Sequence, residues 1–95
     1  MFNSKLNLKK MAILIKGNGE VIDNYDASDL SKKQKAVGGF IEYVRTDLGM
    51  TFCVNEEGLL MGLKPNIIAT NLAGVLLLGD VLMIDNKEIE REDQE

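Results

Sequence analysis

At 95 residues the chain is of single-domain size, long enough to bury somewhat over ~60% of its unfolded surface around one modest core. Its 45% hydrophobic and 27% charged residues are those of a globular protein, and no apolar run approaches the ~20 residues that cross a bilayer, which argues against both a disordered chain and a membrane-spanning helix. One cysteine and no histidine exclude an intrachain disulfide, the common zinc constellations and the usual general base near neutral pH, leaving any acid–base work to carboxylates or lysines with strongly shifted pKa values.

The net charge of −4 is unevenly placed. Residues 85–95 hold six acids (Asp85, Glu88, Glu90, Glu92, Asp93 and Glu95) against Lys87 and Arg91, a balance equal to the whole-chain value, so residues 1–84 are neutral. A neutral body with an acidic end lacks the positive field that a phosphate backbone demands, which disfavours duplex nucleic acid as a partner. Lys32, Lys33 and Lys35 are the one dense basic cluster and read as the solvated face of a short helix. The opening "MFNSKLNLKKMAILIKG" sets lysines before an apolar stretch, but residues 11–15 are shorter than a signal-peptide core and no small-residue cleavage site follows. A cytoplasmic protein is expected, with residues 1–10 a flexible segment and Met11 able to serve as an alternative start.

Residues 11–16 and 20–24 are β-rich runs joined by Gly17, Asn18 and Gly19, which tolerate positive φ, and they predict a hairpin. In "DASDLSKKQKAVGG", Ser28, Asp29 and Ser31 are all able caps, Ser31 with Gln34 fits a capping box, and Gly38 suits the left-handed position past a helix end. A short helix ending at Val37 follows. Its apolar face of Leu30, Ala36 and Val37 is thin, because Lys33 and Gln34 occupy places that a core-facing helix makes apolar, so it should cover one side of a sheet from the surface.

The run "FIEYVR" at 40–45 is β-branched and aromatic, and residues 50–54 alternate with period two, Met50, Phe52 and Val54 inward, Thr51 and Cys53 toward the other face. Residues 59–63 are expected to supply a further strand, with residues 55–58 as the loop before it. Pro65 suits a first helical position, Ile67, Ile68 and Leu72 form an apolar stripe, and Gly74 can end the helix. This second helix should be short and better buried than the first. "VLLLGDVLMI" is apolar throughout, as for a central strand covered on both faces, with Gly79 marking a bend or bulge. Past Ile84 the acidic residues have almost nothing to bury, which predicts a flexible tail over 85–95.

Four residues are ligand-binding candidates: Asn55, Glu56, Glu57 and Asn66. As a turn, Asn55 favours the first position, the glutamates fit the middle and Gly58 supplies positive φ at the end, which is a sufficient account of them. Asn66 falls in the first turn of the second helix, where free N–H groups and the positive dipole end favour an anion, although a plain helix cap also explains it. If the turn and Asn66 met across the sheet end, the pocket would mix donors and acceptors as a nucleotide base or ribose needs. Gly38-Gly39 lacks the spacing of a dinucleotide fingerprint. Cys53 is expected to be partly buried, with nothing basic near it in sequence to lower its pKa. Tyr43 and Arg45 share a strand face and could stack on a ligand, although plain pairing with residues of a neighbouring strand is the simpler account. No catalytic residue, metal or cofactor emerges, because adjacent glutamates on a turn point apart and an exposed turn gives no desolvation to raise either pKa.

In order along the chain, "AVGGFIEYV", "CVNEEGLLMGLKPNIIAT" and "LLLGDVLMI" resemble the small family known as the domain of unknown function numbered 3846. The family's features are a glycine pair before an Ile-Glu strand, an acid-acid-glycine turn, a Leu-Pro-Asn helix start and a late glycine in an apolar strand. They span residues 36–84, and Lys64 stands where the family usually has a small residue or a proline. Members of the family occur in phages, conjugative transposons and actinobacteria, so the resemblance implies an accessory role in a mobile genetic element and no particular reaction. The chain is thus expected to be a single α+β domain over 11–84, in the order ββαβββαβ with a mostly antiparallel sheet. The expected function is non-enzymatic binding of a protein partner, with a nucleotide-like small molecule as the alternative ligand.

Overall fold

A computed structural model describes residues 11–93. The elements run β1 Met11–Ile15, β2 Val21–Asp26, α1 Leu30–Val37, β3 Ile41–Arg45, β4 Met50–Asn55, α2 Ile67–Ala73, β5 Val81–Asp85 and α3 Asn86–Asp93. The five strands form one antiparallel sheet in the order β2-β1-β5-β4-β3, an α+β domain with β5 at its centre. The flexible segment expected at 1–10 lies outside the described residues.

The expected hairpin joins β1 to β2, with Gly19 at φ +95° in its turn. Register slips between Ala12↔Tyr25 and Leu14↔Ile22, and Asn24 sits in that slip at φ +59°, a bulge conformation that asparagine tolerates better than most residues. Pairing then sets the two faces of the sheet. Leu14, Leu82, Cys53 and Tyr43 align in one row, and Ile13, Met83, Phe52 and Val44 in the next, on the opposite face.

The first face carries Leu14, Cys53, Leu82 and Ile84 against Ala36 and Val37 of α1 and Ile89 of α3. The second carries Ile15, Phe52, Val54 and Val81 against Ala69 and Leu77. Covered on both sides, β4 is buried from Thr51 through Asn55. Cys53 is therefore fully buried rather than partly so.

Residues 59–63 form no strand. They continue a stack of tight turns closed by Met61 N–H to Glu57 O (2.8 Å), Gly62 N–H to Leu59 O (3.1 Å) and Leu63 N–H to Gly58 O (2.9 Å). Both edges of β4 are already taken by β3 and β5, so this apolar run cannot pair with β4, and it lacks the β-branched residues that favour a strand. Gly62, not Gly58, supplies the positive φ, at +71°. At Gly58 a Cβ would lie 3.4 Å from Asn55 O and from Leu78 Cβ, a close but ordinary contact.

The strand expected over 75–84 is shorter. Only Val81–Asp85 joins the sheet, while Leu78 makes an isolated bridge with Pro65. Gly79 breaks the run at φ +76°, and a Cβ there would approach Leu63 Cδ1 to 2.8 Å.

Both early helices turn differently from the expected faces. Asp29, not the Ser31–Gln34 box, caps α1, its Oδ1 accepting from Lys32 N–H at 2.8 Å, and Gly38 ends the helix at φ +82°. Leu30 stays exposed while Lys33 is buried. The Lys33 stem crosses the apolar surface and its ammonium donates to the Tyr43 hydroxyl at 2.8 Å, 5.5 Å from the ring centroid. In α2 the small Ala69 faces the sheet, and Ile67, Ile68 and Leu72 are exposed, so this helix is less buried than α1.

Beyond Ile84 the chain does bury something. The Thr51 hydroxyl donates to Asn86 Oδ1, Asn86 N–H donates to Gly49 O (2.9 Å), and Lys87 N–H donates to Asp85 Oδ1 (2.8 Å). These bonds start α3, and one apolar residue, Ile89 at 0% exposure, enters the core. The flexible tail expected from residue 85 is thus an anchored helix in its first part, because these polar bonds need only one apolar side chain beside them to pack. Ile89→Ala should lower stability by about 2–5 kcal/mol in urea unfolding, the range for truncating a buried isoleucine. A tail that merely dangles would leave the midpoint unchanged.

Candidate functional site

The four candidates lie at the end of the sheet where β4 finishes and β5 begins. Asn55 closes β4 on the face covered by α1 and is buried. Its Oδ1 accepts from Glu57 N–H at 2.8 Å, and its Nδ2 donates to Val37 O at 3.1 Å and contacts Met61 Sδ at 3.5 Å. The carboxamide thus joins the end of α1, the end of β4 and the following turn. It also accounts for the glycine pair: Gly38 takes the left-handed conformation, and a Cβ on Gly39 would sit 3.0 Å from Asn55 Nδ2.

Glu56 donates its backbone N–H to Phe40 O at 2.8 Å, extending the β3–β4 ladder by one rung. The side chains of Glu56 and Glu57 are both exposed. The turn chemistry anticipated for 55–58 is present, with Gly58 N–H bonded to Asn55 O at 3.1 Å.

Asn66 is the N-cap of α2, its Oδ1 accepting from Ala69 N–H at 3.0 Å. Its Nδ2 donates twice, to Ile15 O and to Gly79 O, each at 2.8 Å. Pro65 therefore precedes the cap instead of opening the helix. At 1% exposure, Asn66 has its acceptor and both donors committed to protein partners.

The four residues do not share a pocket. Asn55 and Glu56 line an open cleft of about 250 Å³ with Glu42, Leu59 and Leu76. Asn66 lines a separate one of about 180 Å³ beside Lys16 and Ile67. Glu57 lines neither. Among the described residues, every buried side-chain nitrogen and oxygen has a hydrogen-bond partner, and no group of three or more Cys, Asp or Glu side chains is placed to hold a metal ion. The asparagines act as joints of the fold.

A surface that the residue patterns did not mark lies around them. Leu59 and Leu60 are 83% and 87% exposed, and Met61, Ile67, Leu72 and Leu76 are exposed as well. The available signal was the run Leu59-Leu60-Met61, apolar, unbranched at Cβ and hard against a turn, a poor strand former with no helix to belong to.

Away from this end, Asp26 accepts from Ser28 N–H (3.0 Å) and from Lys32 Nζ (3.1 Å), and Lys32 Nζ also reaches Ser28 Oγ (3.1 Å). Hydrogen bonds from the Ser28 side chain and then Lys32, with a smaller share from the Ser28 backbone N–H, hold the Asp26 carboxyl below its ordinary value, at about 2, and the bond to Asp26 raises the Lys32 ammonium. A depressed carboxyl pKa stabilises the fold above the unfolded value of 3.8, and that contribution is lost as pH falls toward 2. An NMR titration should find the Asp26 carboxyl midpoint near 2, moving up toward 3.8 in Ser28→Ala.

Asn66→Ala removes the cap and takes a donor from one buried and one part-buried carbonyl, so a loss of about 2–4 kcal/mol is expected in urea unfolding. Asn66→Asp keeps the cap but sets a carboxylate against Ile15 O and Gly79 O, and should be no milder. A ligand-binding asparagine without this joint role would give a near-neutral Asn66→Asp.

No curated protein and no solved structure matches the chain. A family model does match, over residues 8–94, nearly the whole sequence and all of the sheet. The chain belongs to the family described as a domain of unknown function, DUF3846.

Proposed function

We propose that the chain is a non-enzymatic accessory protein of a mobile genetic element, acting in the cytoplasm by binding a protein partner. The docking surface is the apolar side chains exposed on the 56–63 turns, on α2 and on the segment that follows it. One observation carries this reading, the exposure of Leu59, Leu60, Met61, Ile67, Leu72 and Leu76. Leu59 and Leu76 line the same cleft, and Leu72 lies in the last turn of α2, which ends at Ala73 shortly before Leu76. Exposed apolar patches beyond a few hundred Å² are uncommon on monomers and mark interaction sites. Burying such a side chain against a partner is worth about 1.5–3 kcal/mol, enough for a few of them to anchor a complex. The mobile-element context rests on the family resemblance. The nucleotide alternative gains no support from Asn55 and Asn66, whose polar groups are engaged within the fold.

The double variant Leu60→Ser/Leu76→Ser should keep its stability within about 0.5 kcal/mol of the native chain, as exposed substitutions do. Its capture of a protein from host lysate should fall at least about tenfold, the effect of losing ~1.4 kcal/mol of binding energy. Equal capture by both chains, or no specific capture by the native one, rejects the reading.

A further inference from the structure

The second face of the sheet is only half roofed. Ala69 and Leu77 pack over Ile15, Val54 and Val81 at one end. Toward the other end, where Met50 pairs with Asp85, Ile13, Met50 and Met83 remain half-buried and Met11 is 40% exposed. These four apolar side chains from β1, β4 and β5 line an open cleft of about 350 Å³. Its rim carries Asp23 and Asp85, and among the described residues no lysine or arginine lines it. Asp85 spends one oxygen on the Lys87 N–H at the start of α3, and Asp23 is exposed.

This chemistry selects an occupant. Three methionines on neighbouring strands make a floor of unbranched, polarisable side chains that adapts to the shape laid on it. An amphipathic helix supplies apolar residues along one stripe, and basic residues beside that stripe meet the acidic rim. The whole-chain charge of −4 adds a long-range attraction of the same sign. A second copy of this chain would bring its own acids to the same rim, which like-charge repulsion opposes.

We propose that the Met11–Met50–Met83 cleft is a docking groove for an amphipathic helix of a protein partner, with an apolar face flanked by lysine or arginine. The assignment rests on the protein-binding reading but uses a surface apart from Leu59, Leu60 and Leu76, so the two fail independently.

The test uses the full chain with ¹³C-methyl methionine, whose five signals come from Met1, Met11, Met50, Met61 and Met83. The probe is a helical peptide of about sixteen residues, long enough to hold a helix, with leucines on one face and lysines on the other. Its control replaces every lysine by glutamate. The lysine peptide should shift the Met11, Met50 and Met83 signals and leave Met61 in place, while the glutamate peptide shifts none. Asp23→Lys should weaken binding about fivefold, the scale of reversing one exposed charge, and added salt should weaken it too. Several outcomes overturn the proposal: no response to the lysine peptide, equal response to both peptides, or shifts that grow with protein concentration alone, which would place a second copy in the groove. A shift confined to Met61 also overturns it, while sparing the surface assigned above.

Discussion

The Asn66 carboxamide is the joint on which this fold turns. Between the end of β4 and the start of β5 the chain makes a long excursion, residues 56–80, and must then return to fill the middle of the sheet. Asn66 fixes that return by holding Ile15 O of β1 and Gly79 O just ahead of β5 on one nitrogen, while its oxygen starts α2. Asn66 N–H to Leu77 O and Gly79 N–H to Lys64 O, both at 2.8 Å, brace the same loop. Buried polar groups impose geometry because each must find its partner or carry the full desolvation cost. Three such constraints on one side chain leave the excursion little freedom to close anywhere else.

From that closure follows the unequal treatment of the two faces. One is sealed by α1 and α3, with Lys33 and Tyr43 filling its margin. The other receives only a short helix contacting through Ala69 and the single leucine Leu77. Small contact residues let α2 approach closely and turn its larger ones, Ile67 and Leu72, outward. Apolar surface that a monomer could have buried is left available on that side, both on α2 and across the uncovered part of the sheet.

Much of this was legible in the residues. The hairpin, the Gly38 helix stop, the central place of the last apolar strand and the antiparallel α+β class all follow from local periodicity and turn chemistry. What failed was non-local. Nothing near Leu59 reveals that both edges of β4 are occupied by strands before and after it in the chain. The rotation that buries Lys33 and exposes Leu30 is set by Tyr43 on another element, and the docking of Ile89 depends on Thr51 and Gly49. Asn66 was readable as a cap, because its acceptor bonds three residues on. Its two donors, which do more for the fold, reach Ile15 and Gly79, and no pattern of spacing announces them. The glutamates at 56 and 57 drew attention by composition, yet their placement is that of a ladder rung and a turn.

The position of β5 has a temporal side. The last of the five strands stands in the middle, so β1–β2 and β3–β4 are two local hairpins that share no hydrogen-bonded edge until residues 81–85 slide between them. Hairpins of two strands are marginal alone in water, and the contacts that join these two span most of the chain, a topology of high contact order that slows the search for the native state. A nascent chain, still lacking its final strand at the ribosome, would present two unfinished half-sheets with open inner edges. Assembly is then a single late event in which sheet and core appear together, and cooperativity is built into the order of the strands.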